Sequence, residues 1–138
     1  MGCALETGFI PHGKCTYSVD GNIITINAIG PWNLEFFMQM HLELAEVILS
    51  QVDISNFAIL LILQGDSLAA QDGLDYHLKL VRAGPTKAIA INSVLSNAPK
   101  ITQSIFQKTY DQAGLKNNAF DCTQAAKAWL ATQLNKEH

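Results

Sequence analysis

The chain has 138 residues, enough for one domain with a sizeable core. Hydrophobic residues make up 49% and charged residues 15%, a balance that excludes a disordered chain. No apolar run reaches the roughly 18–20 residues of a membrane helix, and a net charge of −3 with a pI of about 5.7 leaves no electrostatic footprint for nucleic acid.

Residues 1–14 read as a loosely ordered lead-in and residues 15–138 as a single domain. The start lacks the basic and apolar regions of a signal peptide. Met1-Gly2-Cys3 is followed by Glu6, where a myristoylation site wants Ser or Thr. The three cysteines, Cys3, Cys15 and Cys122, are widely spaced and form no CxxC. They read as free thiols in a reducing cytoplasm, with no disulfide scaffold or zinc site expected.

Cys15, Tyr17 and Val19 alternate with Thr16 and Ser18, the period of a half-buried strand. Asp20-Gly21 is a hairpin signal, and Ile24, Ile26 and Ala28 alternate after it. The spacing predicts an antiparallel hairpin of Cys15–Val19 with Asn22–Ile29, ended by Gly30-Pro31. Asn33 is placed to cap a helix from Leu34 to Ser50. Glu35, Gln39, Glu43, Glu46 and Ser50 form its narrow polar stripe. The remaining face is wider than one sheet requires, so another helix, a partner or a ligand must cover the excess.

The continuous apolar run Phe57–Leu63 predicts a strand buried on both faces, of the parallel, central kind. Gln64–Asp66 reads as a loop, and Ser67 as the cap of a second helix running to Ala83, stopped by Gly84-Pro85. Gly73 weakens the first turn of that helix. Lys87–Asn92 reads as a further strand, Pro99 opens a third helix that ends at Gly114, Ala119-Phe120 is a last short strand, and Thr123 caps a final helix. The order ββαβαβαβα implies right-handed crossovers and a mixed, mostly parallel sheet with an N-terminal hairpin and about four helices.

No phosphate loop, dinucleotide fingerprint, HExxH, GxSxG or EF-hand loop is present. No catalytic residue, metal site or cofactor is expected, and the balance leans away from an enzyme. His41, in the apolar face of the first helix, reads as a core histidine, because no second His or Cys stands at ligand spacing from it. Asp72, Asp75, Tyr76 and His77 cluster on the second helix and read as a solvated face; an acid–base set would need a third group to orient it. Asp66 and Ser67 occupy the best-placed site by topology, outside the carboxyl end of a central strand. Trp32, at a half-exposed strand-to-helix corner, lies next to Phe36 and Met40. Together these three make an adaptable apolar surface or a well-filled core.

Tyr17-Ser-Val-Asp-Gly-Asn-Ile-Ile24, then Gly30-Pro-Trp-Asn33, a long helix, the buried strand Phe57–Leu63 and the Ala126, Trp129, Leu130 ending resemble the SpoIIAA-like (STAS-type) domains over roughly Cys15 to Leu134. The nearest likeness is to small stand-alone bacterial STAS/SEC14-like proteins. The resemblance implies a single SpoIIAA-like α/β domain. It also implies, for antagonists of anti-sigma factors, a phosphorylated serine in a motif resembling Asp-Ser-Ser-Gly-Leu. If Gly73-Leu74 match the end of that motif, the serine positions fall on Gln71 and Asp72; if Ser67 is the match, the following glycine is missing. This chain therefore departs from the phospho-switch pattern.

Three readings follow. The first is a non-enzymatic, cytoplasmic interaction or regulatory module, using Asp66–Ser67, the start of the second helix and the flank of the first. The second is a carrier of a small apolar ligand or lipid, implied by the SEC14-like relatives and lined by Trp32, Phe36 and Met40. The third is an enzyme using Asp72, Tyr76 or His77. No nucleic-acid or membrane-spanning partner is expected, and homodimerisation is compatible with each.

Overall fold

The computed structural model describes residues 11–135; the Met1-Gly2-Cys3 start lies outside them. A five-stranded sheet runs β1 (Lys14–Asp20), β2 (Ile23–Trp32), β3 (Ala58–Ala69), β4 (Ile89–Ser96) and β5 (Asn117–Ala119), in that spatial order. β1 is antiparallel to β2, and every other pairing is parallel. The helices are α1 (Leu34–Gln51), α2 (Gln71–Ala83), α3 (Pro99–Ala113) and α4 (Thr123–Leu134). A strand order that advances by one at each right-handed crossover puts all the crossover helices on the same side. Accordingly α1, α2 and α3 form one layer, while α4 packs on the opposite face.

The period of two sorts the sheet between these layers. Ile24, Ile26 and Ala28 of β2, Ile59, Leu61 and Leu63 of β3, and Ile89 and Ile91 of β4 face the three-helix layer. Ala58, Leu60, Ala88 and Ala90 face α4, where they meet Ala126 and Leu130. The predicted mixed sheet, hairpin and four helices are thus the observed architecture.

Several boundaries differ from expectation, for identifiable reasons. The hairpin's two-residue loop is Gly21-Asn22, because Asp20 still pairs with Ile23; Gly21 supplies the positive φ of 63°. Gly30-Pro31 does not end β2. The strand continues to Trp32 through a register shift and a cis Gly30–Pro31 peptide. Gln64–Asp66 is not a loop, and Ser67 does not cap α2. β3 runs on to Ala69 because β2 and β4 keep pairing with it, Trp32 with Ala69 and Gly65 with Ser96. The N-cap of α2 is Ala70, with no side-chain cap. Likewise Cys122, not Thr123, precedes α4, again without a side-chain cap. Three expectations hold in detail: the Asn33 side chain accepts from the Phe36 N–H at 2.9 Å, Pro99 opens α3, and Gly114 closes it with φ of 75°.

Candidate functional site

Each helix of the three-helix layer contributes one polar ring to a buried chain. His41 comes from α1, His77 from α2 and Tyr110 from α3. His41 Nε2 lies 2.8 Å from His77 Nδ1, and His77 Nε2 lies 2.8 Å from the Tyr110 hydroxyl. His77 is 4% exposed and Tyr110 is wholly buried; His41 is half-buried at the α1–α2 seam. Phe37 stacks on His77 with ring centroids 5.0 Å apart, and Phe106 and Tyr110 meet the same imidazole edge-on.

The seam closes tightly because of Gly73. A Cβ there would sit 2.8 Å from the Phe37 ring and 3.1 Å from the Leu34 nitrogen. The glycine that weakened the helix prediction is what lets α2 approach the start of α1. That approach carries His77, one turn further along α2, to its partners.

Burial sets the protonation of the chain. Burial pushes His41 down to about 4 and holds His77 well below the ordinary imidazole value, with the neighbouring His41 charge adding to the effect. Burial also pushes the Tyr110 hydroxyl upward. At neutral pH all three groups are therefore uncharged, and two proton arrangements satisfy the chain. In one, Tyr110 donates to His77, which donates to His41, so His41 keeps a free N–H. In the other, His41 donates to His77, which donates to Tyr110, so Tyr110 keeps a free O–H. The relay thus offers a donor at one end and an acceptor at the other, and the two ends exchange roles together.

All three rings line a cavity of about 90 Å³ between this layer and the sheet. Its other walls are aliphatic, chiefly Leu44, Ile48, Leu61, Leu80 and Val81, and it opens beside Gly84-Pro85-Thr86. Among the described residues, no Lys, Arg, Asp or Glu side chain lines it. A second space, of about 10 Å³, lies among Trp32, Phe36, Met40 and Phe106, room for about one water at most.

The structure distributes the sequence-predicted residues unevenly. Trp32 is not half exposed: it is 2% exposed, with Phe106 against it edge-on at 5.5 Å, because β2 continues beneath α1 and carries the indole inside. Its indole N–H has no partner among the described residues. Phe36 and Met40 are buried in the same core. Asp66 and Ser67 lie on the extension of β3, where the Ser67 hydroxyl joins those of Ser96 and of Thr102 at the start of α3. Asp72 is exposed, and Tyr76 is half-buried, edge-on to His41 at 6.0 Å. His77 does not belong to a solvated face, and both its nitrogens are engaged by His41 and Tyr110, so Asp72 is not its partner.

His41 does have a second histidine beside it, contrary to the expectation from spacing, because the two stand 36 residues apart and meet only in the packed helix layer. A signal was available: each lies within the apolar stripe of its helix, His41 with Phe37 and Leu44, His77 with Gly73, Leu74 and Val81. Tyr110 stands likewise on the buried stripe of α3, four residues after Phe106.

Outside the layer, α1 presents a second feature. Met38, Leu42, Ala45 and Leu49, at i, i+4, i+7 and i+11, form an exposed stripe opposite the buried Phe36, Met40 and Leu44. Leu42 is 69% exposed and Leu49 76%.

No protein-family model matches the chain, and no curated protein matches it. A solved structure does: an uncharacterized protein of the DUF3478 family from Shewanella loihica PV-4, described as having a SpoIIAA-like fold. The match has a TM-score of 0.58 and 16% sequence identity, and covers 88% of this chain and 95% of that one. The chain has a SpoIIAA-like fold. At that identity the likeness speaks for the architecture alone. No helix among the described residues is long and apolar enough to cross a membrane.

Proposed function

We propose that this SpoIIAA-like protein is a non-enzymatic interaction module that docks a partner protein along the outer stripe of α1. The observation that carries the reading is the exposure of Leu42 and Leu49 in register with Met38 and Ala45. Scattered exposed leucines are ordinary, but a contiguous stripe along three turns of one helix is the geometry of a helix-docking surface. The sheet and α2 account for the rest of the wide apolar face that the sequence showed.

Charge selects the kind of partner. α1 carries Glu35, Glu43 and Glu46 and no Lys or Arg. On the helical repeat, Glu35 and Glu46 fall along one margin of the stripe. In an antiparallel pair of α1 helices related by a two-fold axis, that margin would face its own copy and set carboxylates against carboxylates. The complementary occupant is an amphipathic helix with an apolar stripe and basic margins.

The test uses an 18-residue helical peptide with leucines at i, i+3/i+4 and i+7 and lysines elsewhere, with its glutamate counterpart as control, read by fluorescence anisotropy. Binding of the basic peptide alone, weakened by salt and lost in the Leu42→Asp/Leu49→Asp variant, supports the reading. No binding, or equal binding by the variant, overturns it. Sedimentation of the wild type as a dimer that the variant abolishes would give the stripe to a second copy and overturn the choice of partner.

A further inference from the structure

The cavity beneath the His41–His77–Tyr110 relay has the two parts of a ligand site: a closed aliphatic body and a small group of converging polar atoms. It is distinct from the outer stripe of α1 and does not rest on the docking reading. Its size limits what can enter. An engineered apolar cavity of about 150 Å³ accepts benzene, so 90 Å³ suits a body of about four or five carbons. A longer chain could continue only through the opening at Gly84-Pro85-Thr86.

The lining limits the head group. With no charged side chain of the described residues on the wall, a carboxylate or ammonium would be desolvated without a counter-ion. His41 and His77 are poor partners for an anion for the same reason: burial keeps both neutral. A neutral oxygen meets no such penalty. Nδ1 of His41 has no partner among the described residues, and the relay leaves its terminal groups as one donor and one acceptor. A hydroxyl, which both donates and accepts, matches either proton arrangement; a carbonyl matches the arrangement that leaves a free N–H or O–H at the end it meets.

We propose that this cavity is a binding site for a short-chain uncharged amphiphile, an aliphatic alcohol or carbonyl compound. Its chain lies against Leu44, Ile48, Leu80 and Val81, and its oxygen is held by an end of the His41–His77–Tyr110 relay. Because the two ends switch together, a carbonyl held at one end selects a single tautomer of both histidines, whereas a hydroxyl fits either.

The experiment is an NMR titration of the full chain, following the methyl groups of Leu44, Ile48, Leu80 and Val81 and the ring nitrogens of both histidines. The probes are 1-butanol, 1-chlorobutane as the apolar isostere, butyrate and butylammonium. Saturable shifts at the cavity methyls are expected with 1-butanol, together with saturable shifts of the His41 and His77 ring nitrogens. The alcohol should bind about fivefold tighter than 1-chlorobutane, the worth of one net hydrogen bond, and the two ions at least about tenfold more weakly than the alcohol. Equal binding of alcohol and chloride, tighter binding of either ion, or no saturable shift at those methyls overturns the proposal. Val81→Phe, which fills the cavity, should abolish the shifts. Because the comparison among probes is made on the wild type, the conclusion stands whether or not that variant folds.

Discussion

Acid should unfold this protein through its two buried imidazoles, by an amount that can be worked out. An imidazole held neutral in the fold takes up its proton only on unfolding, so lowering the pH favours the unfolded chain. For His41 the unfolded value is 6.5 and the folded value about 4. The stabilising contribution is complete above pH 6.5 and is lost as the pH falls towards about 4. Over that window the loss is about 3 kcal/mol for His41. His77 is shifted in the same direction by burial and by His41 itself. Against a typical domain stability of about 5–15 kcal/mol, this is a large share. Asp53, held below its ordinary 3.8 by hydrogen bonds from Ser55, titrates beneath the window. The assay is urea unfolding by far-UV circular dichroism at several pH values from about 7 to 4.5. Near pH 5 the slope of stability against pH counts protons, about 1.4 kcal/mol per pH unit for each neutral imidazole and about 2.7 for both. His41→Gln should bring the slope down towards the single-imidazole value. A flat profile between pH 6.5 and 4.5, or stability rising towards acid, would show that the histidines are charged in the fold and refute the neutral relay.

The remaining predictions concern packing and reactivity. Tyr110→Phe leaves the His77 Nε2 that faces the lost hydroxyl unpaired in the core, and should cost about 1–3 kcal/mol in urea unfolding; an unchanged midpoint would mean the hydroxyl contributes nothing. Gly73→Ala should lower Tm by several degrees, because the new Cβ meets Phe37 and Leu34; overpacking of about 1–3 kcal/mol outweighs the helix-propensity gain of about 1. A rise in Tm would show that the α1–α2 seam is not limiting. Leu42→Asp/Leu49→Asp should leave stability within about 0.5 kcal/mol per site, whereas Leu44→Asp, on the opposite, buried side of α1, should prevent folding; equal damage would mean the outer stripe is covered. At pH 8, iodoacetamide should modify exposed Cys122 well before Cys15, whose thiol burial pushes up to about 11. Comparable rates by peptide mass spectrometry would contradict the burial of Cys15 beside Tyr17.

Local chemistry made much of the fold legible. The alternation around Gly21, the unbroken Phe57–Leu63 run, the Asn33 cap, Pro99 and Gly114 each act over a few residues and hold in the structure. The misread stretch is instructive. Gly65-Asp66-Ser67 has the composition of a loop, yet it lies in β3, because strands on both sides offer backbone partners to it. Gly30 belongs with it: a side chain there would collide with the Asp66 backbone, so the glycine serves close strand contact where it had read as a stop.

By itself the sequence determined the elements, their order and the two periodicities that sort side chains to a face, since those follow from neighbours a few residues apart. Only the tertiary structure decided which faces meet. Same-sided crossovers put α1, α2 and α3 in one layer, and Gly73 let two of those helices close. Three polar residues at positions 41, 77 and 110 thereby joined into one relay over an aliphatic cavity. The same single layer left Leu42 and Leu49 outside, because among the described residues no further element lies over α1.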